Sequence, residues 1–202
     1  MPFPSLRDRP SAPNSGGGRE EGARPAPPEL GGGGTKVVGP DTLAEIVSRR
    51  QAAGGRLVFT NGVFDLLHVG HARYLAEARA LGDALIVAVN TDASVRGLKG
   101  PLRPIVPEDE RMEMLAALAA VDYVTPFGTQ TPVPLLEQIR PSVYVKGGDY
   151  RIEDLPEAPV VLGYGGHVQI LSLVAGRSST DIIARIRAAY CQDQQGTIES
   201  CP

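Results

Sequence analysis

The chain has 202 residues, of which 42% are hydrophobic and 21% are charged, and its formal net charge is −3. This composition supports one hydrophobic core and excludes global disorder. The low net charge and the lack of a long basic block exclude a nucleic-acid surface, and no apolar run reaches the roughly 18 residues of a membrane span. No apolar segment follows the basic residues of the N-terminus, so we expect a cytoplasmic protein without a secretory signal.

Both ends of the chain have the composition of tails. Residues 1–35 contain seven prolines and eight glycines but almost no large apolar side chains, so we expect this segment to be disordered. Residues 191–202 are polar and lack periodicity, which indicates a flexible C-terminal tail. That tail carries Cys191 and Cys201, which we interpret as ordinary thiols and not as a disulfide framework or a metal site. One domain over residues 36–190 remains.

Strand and helix patterns alternate through this domain. In chain order they predict a helix from Asp41 to the Gly54-Gly55 pair, a strand at 57–59, a helix over 69–81, a strand at 84–89, a helix from Pro107, a strand at 123–124, a helix over 133–139, strands at 143–145 and 168–173, and a helix over 179–190. The contiguous apolar run Leu85-Ile86-Val87 is typical of a strand covered on both faces. The alternation predicts an α/β fold, with a Rossmann-like, doubly wound, mostly parallel five-stranded sheet and helices on both faces.

The loop after the first predicted strand carries the strongest chemical signal. It contains His68 and His71, three residues apart, with Gly70 between them. At a helix start this spacing places both imidazoles on one face, the glycine lets a ligand approach the backbone, and free amides suit an anion. A phosphate site is therefore predicted. Ordinary loop histidines are the alternative, and zinc is a weaker one because only Asp65 is a nearby further ligand.

The run FTNGVFDLLHVGH at residues 59–71 resembles the opening signature of the cytidylyltransferase-like nucleotidyltransferases. The longer resemblance is to the heptose 1-phosphate adenylyltransferase domain, which many bacteria fuse to a heptose 7-phosphate kinase. It covers residues 38–188, and its further blocks lie at 87–105, 110–118, 145–150 and 176–183. The resemblance implies transfer of AMP from ATP to a heptose 1-phosphate, giving ADP-heptose and pyrophosphate.

That chemistry depends on positioning and on positive charge around the reacting phosphorus. The resemblance implies that His68, His71 and Lys99 stabilise the transition state, with Lys99 placed on a turn between Gly97 and Gly100. A solvated surface lysine is the alternative for Lys99. Contacts to the nucleotide and its phosphates are expected from the loop residues Thr60, Asn61, Gly62 and Phe64, from Lys146, Gly147 and Asp149 after the fourth strand, and from Ser178, Ser179 and Thr180 at the last helix.

Contacts to the acceptor sugar phosphate are expected from Asp65, Asn90, Asp92, Arg103 and Arg111. For Arg111 an equally good alternative is a charge pair with Glu108 or Glu110 on an exposed helix face. Ser178 and Asp181 have the spacing of a capping box, which explains the serines structurally. His167 lies apart from every block and is expected to be a surface histidine.

Mg²⁺ is the expected cofactor, carried mainly by the nucleoside triphosphate, and no protein metal ligand is assigned. The expected partners are ATP, a sugar 1-phosphate and a separate sugar kinase that supplies it, because the sequence contains no kinase region. No nucleic-acid or membrane partner is expected, and a homodimer is left open. The alternatives are a heptose guanylyltransferase or cytidylyltransferase, a glycerol 3-phosphate cytidylyltransferase, and a nucleotide-binding regulatory module without catalysis.

Overall fold

The computed structural model describes residues 35–172 and 178–190. In chain order these residues form α1 (Pro40–Ala52), β1 (Leu57–Gly62), α2 (Val69–Arg79), β2 (Ala84–Asn90), α3 (Asp92–Lys99), α4 (Glu108–Ala116), β3 (Tyr123–Phe127), α5 (Val133–Ile139), β4 (Val143–Gly147), a 3-10 turn (Ile152–Asp154), α6 (Ala158–Gly163), β5 (His167–Leu171) and α7 (Ser179–Tyr190). The expected tails, Thr35 apart, lie outside these ranges, as do both cysteines. Within the same ranges, no helix is both long and apolar enough to cross a membrane.

The five strands form one sheet in the order β3-β2-β1-β4-β5. Every pair of neighbouring strands is parallel, so the predicted doubly wound sheet is confirmed. All seven residues of β2 are buried, as its contiguous apolar run predicted. The strand order reverses between β1 and β4, which makes this pair the topological switch point.

Each face of the sheet has its own hydrophobic core. Successive strand side chains point to opposite faces, so β1 contributes to both cores. On one face Phe59 belongs to the cluster that contains Leu43 of α1 and residues of α5 and α6. On the other face Val58 belongs to the cluster that contains Leu75 of α2 and Leu115 of α4. The helices are therefore held by apolar contacts with the sheet, and the strand ends are left to carry polar side chains.

The sequence-based interpretation was wrong about the segment after β2. A helix, α3, occupies Asp92–Lys99, where a turn was expected around Lys99. Thr91 caps it by accepting a hydrogen bond from the Ser94 amide, and the buried Val95 anchors it to the core. The local sequence did not predict this helix, because it is short and contains an interior glycine, and both features are typical of turns. The helix α6 and the 3-10 turn were also missed.

Gly82 and Gly97 differ in the space that the structure leaves for a Cβ atom. A Cβ atom at Gly82 would collide with the Arg56 carbonyl oxygen and lie 2.8 Å from Cγ2 of Val58, whereas a Cβ at Gly97 in α3 would meet nothing within 4 Å. We expect Gly82→Ala to lower the free energy of unfolding by about 1–3 kcal/mol. Gly97→Ala should raise it by about 0.5–1 kcal/mol, because alanine favours the helix. Urea unfolding measures both, and equal effects of the two changes would contradict this explanation.

Candidate active site

The sheet topology brings several sequence blocks to one place. In open parallel sheets, ligands bind beyond the carboxyl ends of the strands at the point where the strand order reverses. Here that point lies between β1 and β4. The segment 63–68 follows β1, and Gly148 follows β4. The residues that enter this crevice therefore come from the blocks at 59–71 and 145–150.

His68 and His71 stack on each other where α2 begins. His68 is the N-cap residue with an extended backbone, and His71 lies in the first turn. Their ring centroids are 3.9 Å apart and their planes are inclined by 22°. The ring of Phe64, a residue with a φ of 51°, contacts His71 edge-on with centroids 5.3 Å apart. The structure thus brings the two predicted imidazoles together at a helix N-terminus.

His71 is uncharged at neutral pH. Burial and, to a smaller extent, the neighbouring His68 lower the pKa of His71 from 6.5 to about 4. Its Nδ1 is buried and has no hydrogen-bond partner within residues 35–172 and 178–190. A neutral imidazole carries one N–H group and one acceptor nitrogen. His71 is therefore suited to donate a hydrogen bond to a phosphate oxygen and is not suited to act as a fixed cation.

The lowered pKa of His71 makes folding stability depend on pH. Between pH 6.5 and about 4 the unfolded chain binds a proton at this histidine and the folded chain does not. The stability that neutral His71 contributes is therefore present above that range and is lost as the pH falls through it. We expect the free energy of unfolding to fall less between about pH 7 and about pH 4.5 in His71→Gln than in the parent protein. Urea unfolding at both pH values measures this, and equal losses would contradict the pKa direction.

Asp65 organises the segment that precedes α4. Its buried carboxylate accepts hydrogen bonds from the amides of Ile105, at 2.8 Å, and Val106, at 2.9 Å, and pairs with Nε of Arg103. These protein donors occupy the carboxylate, so its geometry does not support the expected contact of Asp65 with the acceptor. Arg103 is only part-buried, and its terminal nitrogens are not used by this ion pair. Asp65 therefore places Arg103 beside the loop that carries the histidines.

Arg111 is buried beneath the site, although it was expected either to bind the acceptor or to lie on an exposed helix face. It is 1% exposed. Its guanidinium donates to three carbonyl oxygens and one carboxylate, namely those of Val63, Val106, Asn90 and Asp92. The exposed-face alternative is wrong, and the guanidinium is committed to protein oxygens instead of an acceptor phosphate. Arg111 shares the inner face of α4 with Leu115, four residues on, and this spacing was the available signal.

Asn90 ends β2 and Asp92 begins α3, and both side chains are engaged within the protein. The Nδ2 of the buried Asn90 donates to Oγ of Ser94 at 3.0 Å. The carboxylate of Asp92 pairs with Arg111 at 2.7 Å, and its amide donates to the carboxylate of Glu108 at 2.7 Å. Their contacts therefore support the walls of the site.

The segment Thr60-Asn61-Gly62 was expected in a loop, and the structure corrects this. These residues are the end of β1, which runs to Gly62. Thr60 is fully buried, and its hydroxyl lies 2.6 Å from the Tyr74 hydroxyl, so the side chain is not available to a phosphate. A Cβ at Gly62 would lie 3.0 Å from the Phe64 ring, so this glycine makes room for the ring that contacts His71. Only Asn61 presents a polar, part-buried side chain here.

Asn61 and Lys146 meet because β1 and β4 are neighbours. Nζ of Lys146 lies 3.5 Å from Oδ1 of Asn61 and 3.3 Å from the Tyr144 hydroxyl, which donates to the same Oδ1 at 2.8 Å. Burial, followed by the charge of Glu157, raises the pKa of Tyr144 well above its usual range. Sequence reasoning missed Glu157, and the available signal was a single carboxylate in an otherwise apolar stretch before α6.

The backbone after β4 requires glycine. Gly147 ends the strand, and Gly148 has a φ of 132°, which L side chains rarely adopt. A Cβ at Gly148 would also lie 2.8 Å from the Tyr150 ring. Asp149 follows as an exposed residue. Gly148 is therefore required both by its backbone conformation and by the Tyr150 ring that lies against it, and contact of this turn with a nucleotide stays a prediction.

The start of α7 lies against the loop between β1 and α2. Ser178 and Asp181 form the predicted capping box: Oγ of Ser178 accepts from the Asp181 amide, and Oδ2 of Asp181 accepts from the Ser178 amide, both at 3.0 Å. The hydroxyl of Ser179 donates to the Leu66 carbonyl at 3.2 Å, and Thr180 is exposed. Ser179 thus links the start of the helix to the loop of the histidines. Gly176 and Arg177, which belong to the same predicted block, lie outside the described residues.

Lys99 and His167 are both exposed, but they lie in different parts of the fold. Lys99 is the exposed last residue of α3, immediately before Gly100 with its φ of 92°. His167 is exposed, as expected, and begins β5, so it lies at the amino edge of the sheet, away from the carboxyl ends of the strands. His167 is therefore a suitable control residue.

The sequence is similar to those of a known protein family and of several curated proteins. A family model described as Cytidylyltransferase-like matches residues 59–185. "Bifunctional protein HldE" of Geobacter sulfurreducens is 49% identical over 163 residues, which cover 81% of this chain and 33% of that protein. A protein of the same name from Azotobacter vinelandii is 54% identical over 151 residues, covering 75% and 32%. The chain thus spans about a third of the length of these curated relatives.

A solved structure is also similar. The crystal structure of the lipopolysaccharide core biosynthesis protein from Thermoplasma volcanium GSS1 has a TM-score of 0.50 and 30% sequence identity, and the match covers 60% of this chain and 98% of that one. The chain belongs to the cytidylyltransferase-like family. It is an enzyme of the nucleotidyltransferase class.

Proposed function

We propose that the protein transfers AMP from ATP to a heptose 1-phosphate, giving ADP-heptose and pyrophosphate. The observation that carries the proposal is the stacked pair His68 and His71 at the start of α2, beyond the carboxyl end of β1. The choice of ATP and of a heptose rests on the resemblance to the heptose 1-phosphate adenylyltransferase domain. The domain over 36–190, acting in the cytoplasm on a sugar phosphate supplied by a separate kinase, is part of the proposal.

In the proposed reaction a phosphate oxygen of the sugar attacks the α-phosphorus of ATP. The new P–O bond forms while the bond to the leaving pyrophosphate breaks, and negative charge grows on the phosphate oxygens. A preorganised N–H group near those oxygens stabilises this charge more in the transition state than in the ground state. His71 suits this role because it is neutral and fixed between His68 and Phe64. Lys99, on the exposed end of α3, is proposed to neutralise the leaving group.

We propose Arg103 for the phosphate of the acceptor. Its Nε is anchored by Asp65, which leaves the terminal nitrogens of the guanidinium for a ligand. The amides and hydroxyls of Ser179 and Thr180, and the backbone of Gly147 at the end of β4, are proposed to contact the nucleotide. Asp65, Asn90, Asp92 and Arg111 are then supports of the site, because protein atoms occupy their polar groups.

Mg²⁺ is proposed as a partner of the triphosphate. No group of three or more His, Cys, Asp or Glu side chains that could hold a metal ion occurs among the described residues. No catalytic step is assigned to the ion. Screening the charge of the triphosphate is the chemistry that it would supply.

Substrate preference tests the proposal. With a heptose 1-phosphate as acceptor, we expect kcat/KM for ATP to exceed that for CTP, GTP and UTP by about tenfold or more. Pyrophosphate release, measured for each nucleotide against a panel of sugar 1-phosphates and glycerol 3-phosphate, gives the result. A preference for CTP or GTP would overturn the nucleotide assignment and leave the reaction class standing. No release with any pair would favour a binding module, and His71→Ala protein controls for contaminating activity.

A further inference from the structure

A buried carboxylate lies next to the switch-point crevice. Glu157, the residue before α6, is 3% exposed. Its Oε1 lies 3.7 Å from Nζ of Lys146, and its Oε2 is buried without a hydrogen-bond partner in the part of the chain that the structure describes. Burying a carboxylate is unfavourable unless a cation compensates it. Because Lys146 lies within ion-pair distance, the two side chains together form a nearly neutral unit at the crevice.

This unit determines how the Asn61 side chain is oriented. An ammonium group can only donate hydrogen bonds, so the amide atom of Asn61 that faces Lys146 has to be its oxygen. The Tyr144 hydroxyl accepts from Lys146 and therefore donates to the same oxygen. With Oδ1 held by two donors, Nδ2 of Asn61 points away from them. At the end of β1 this nitrogen is a hydrogen-bond donor for a ligand.

We propose that Glu157 is a positioning residue that holds Lys146, and through Lys146 and Tyr144 holds Asn61, so that Nδ2 of Asn61 donates to an uncharged acceptor atom on the base or ribose of the nucleotide. This inference rests on the proposed function, because it takes the ligand to be a nucleoside triphosphate. It narrows the expectation that Asn61 and Lys146 contact the nucleotide and its phosphates. Because Glu157 offsets the charge of Lys146, these side chains attract a phosphate only weakly. The Asn61 amide can still select a ligand by hydrogen bonding to its uncharged polar atoms.

Binding measurements separate a base or ribose contact from a phosphate contact. Calorimetry on the full chain would compare ATP with inorganic tripolyphosphate, which has the phosphates but neither base nor ribose. We expect Glu157→Gln to weaken ATP binding by about tenfold, which corresponds to the net free energy of one well-oriented hydrogen bond. Binding of tripolyphosphate should stay unchanged or become tighter. Equal weakening of both ligands, or no change in ATP binding, would overturn the proposal.

Two further variants keep the test decisive if Glu157→Gln folds poorly. Asn61→Ala removes the donor itself and should weaken ATP by about tenfold without affecting tripolyphosphate. Lys146→Met should also weaken ATP binding, and adding Glu157→Gln to it should weaken ATP binding by less than the sum of the two single effects, because Glu157 acts on Asn61 through Lys146 and also interacts directly with Tyr144. A loss of tripolyphosphate binding in Asn61→Ala, or additive effects in the double variant, would contradict the proposed chain of contacts.

The outcome is distinguishable from failure of the proposed function, because these measurements need neither acceptor nor turnover. If the enzyme prefers another nucleoside triphosphate, that nucleotide replaces ATP in the comparison. We again expect weaker binding of the nucleotide and no loss of tripolyphosphate binding. As a kinetic check, Glu157→Gln should raise KM for the nucleotide about tenfold and leave kcat nearly unchanged. A purely structural role of Glu157 would lower the melting temperature without separating the nucleotide from tripolyphosphate, and that result would also reject the proposal.

Discussion

Replacing His71 with alanine is expected to lower kcat by about 10²–10³ while ATP affinity stays close to that of the parent protein. The reason is the fixed geometry of the neutral imidazole, which stacks on His68 at 3.9 Å at the start of α2. A preorganised donor of this kind stabilises the charge that develops on the phosphate oxygens. A contact made equally in the ground state would instead appear as a higher KM.

Three further variants accompany this measurement. His68→Ala and Lys99→Ala should also lower kcat more than they weaken ATP binding, if both groups act on the transition state. His167→Ala is the matched control, because this histidine is exposed at the amino edge of the sheet and should have no effect. Steady-state rates and calorimetric ATP affinity are needed for all four variants. A near-normal kcat in His71→Ala would reject the catalytic assignment of the histidine pair.

Replacing Arg111 with methionine is expected to lower the free energy of unfolding by about 3–5 kcal/mol. The guanidinium is buried, and it donates to the carbonyls of Val63, Val106 and Asn90 and to the carboxylate of Asp92. Methionine keeps most of the apolar stem but leaves these oxygens without their donors. Because Arg111 joins the segment after β1 to the start of α3 and to the segment before α4, activity should fall with stability.

Urea or thermal unfolding measures this effect. The matched control is Arg151→Ala, which removes an arginine that also pairs with a carboxylate, that of Glu153, at 3.5 Å. Both partners are largely exposed there, with 81% and 73% of their side chains accessible, so we expect a loss of at most about 1 kcal/mol. A similar loss in both variants would mean that the burial of Arg111 does not carry the predicted stabilisation.

The sequence by itself determined the order and type of most elements. The helices α5 and α7 lie at 133–139 and 179–190 as predicted, and β2 extends its predicted run by one residue. These elements have local signals: an apolar periodicity, a capping box or a contiguous apolar run. The histidine spacing in residues 68–71 is a local signal as well, since positions three apart at a helix start share a face. The sequence therefore predicted that the two imidazoles lie together at a helix start, and the structure places them there.

Only the tertiary structure decided which polar side chains are free to meet a ligand. Thr60, Asp65 and Arg111 have the residue types of a phosphate or sugar site, yet their polar groups are engaged by Tyr74, by the segment before α4 and by backbone carbonyls. Glu157 carries no motif and still lies beside Lys146. Hydrogen-bond partners and burial depend on segments far apart in the chain. A local pattern can therefore propose a side chain for a site, and only packing determines whether its donors and acceptors remain available.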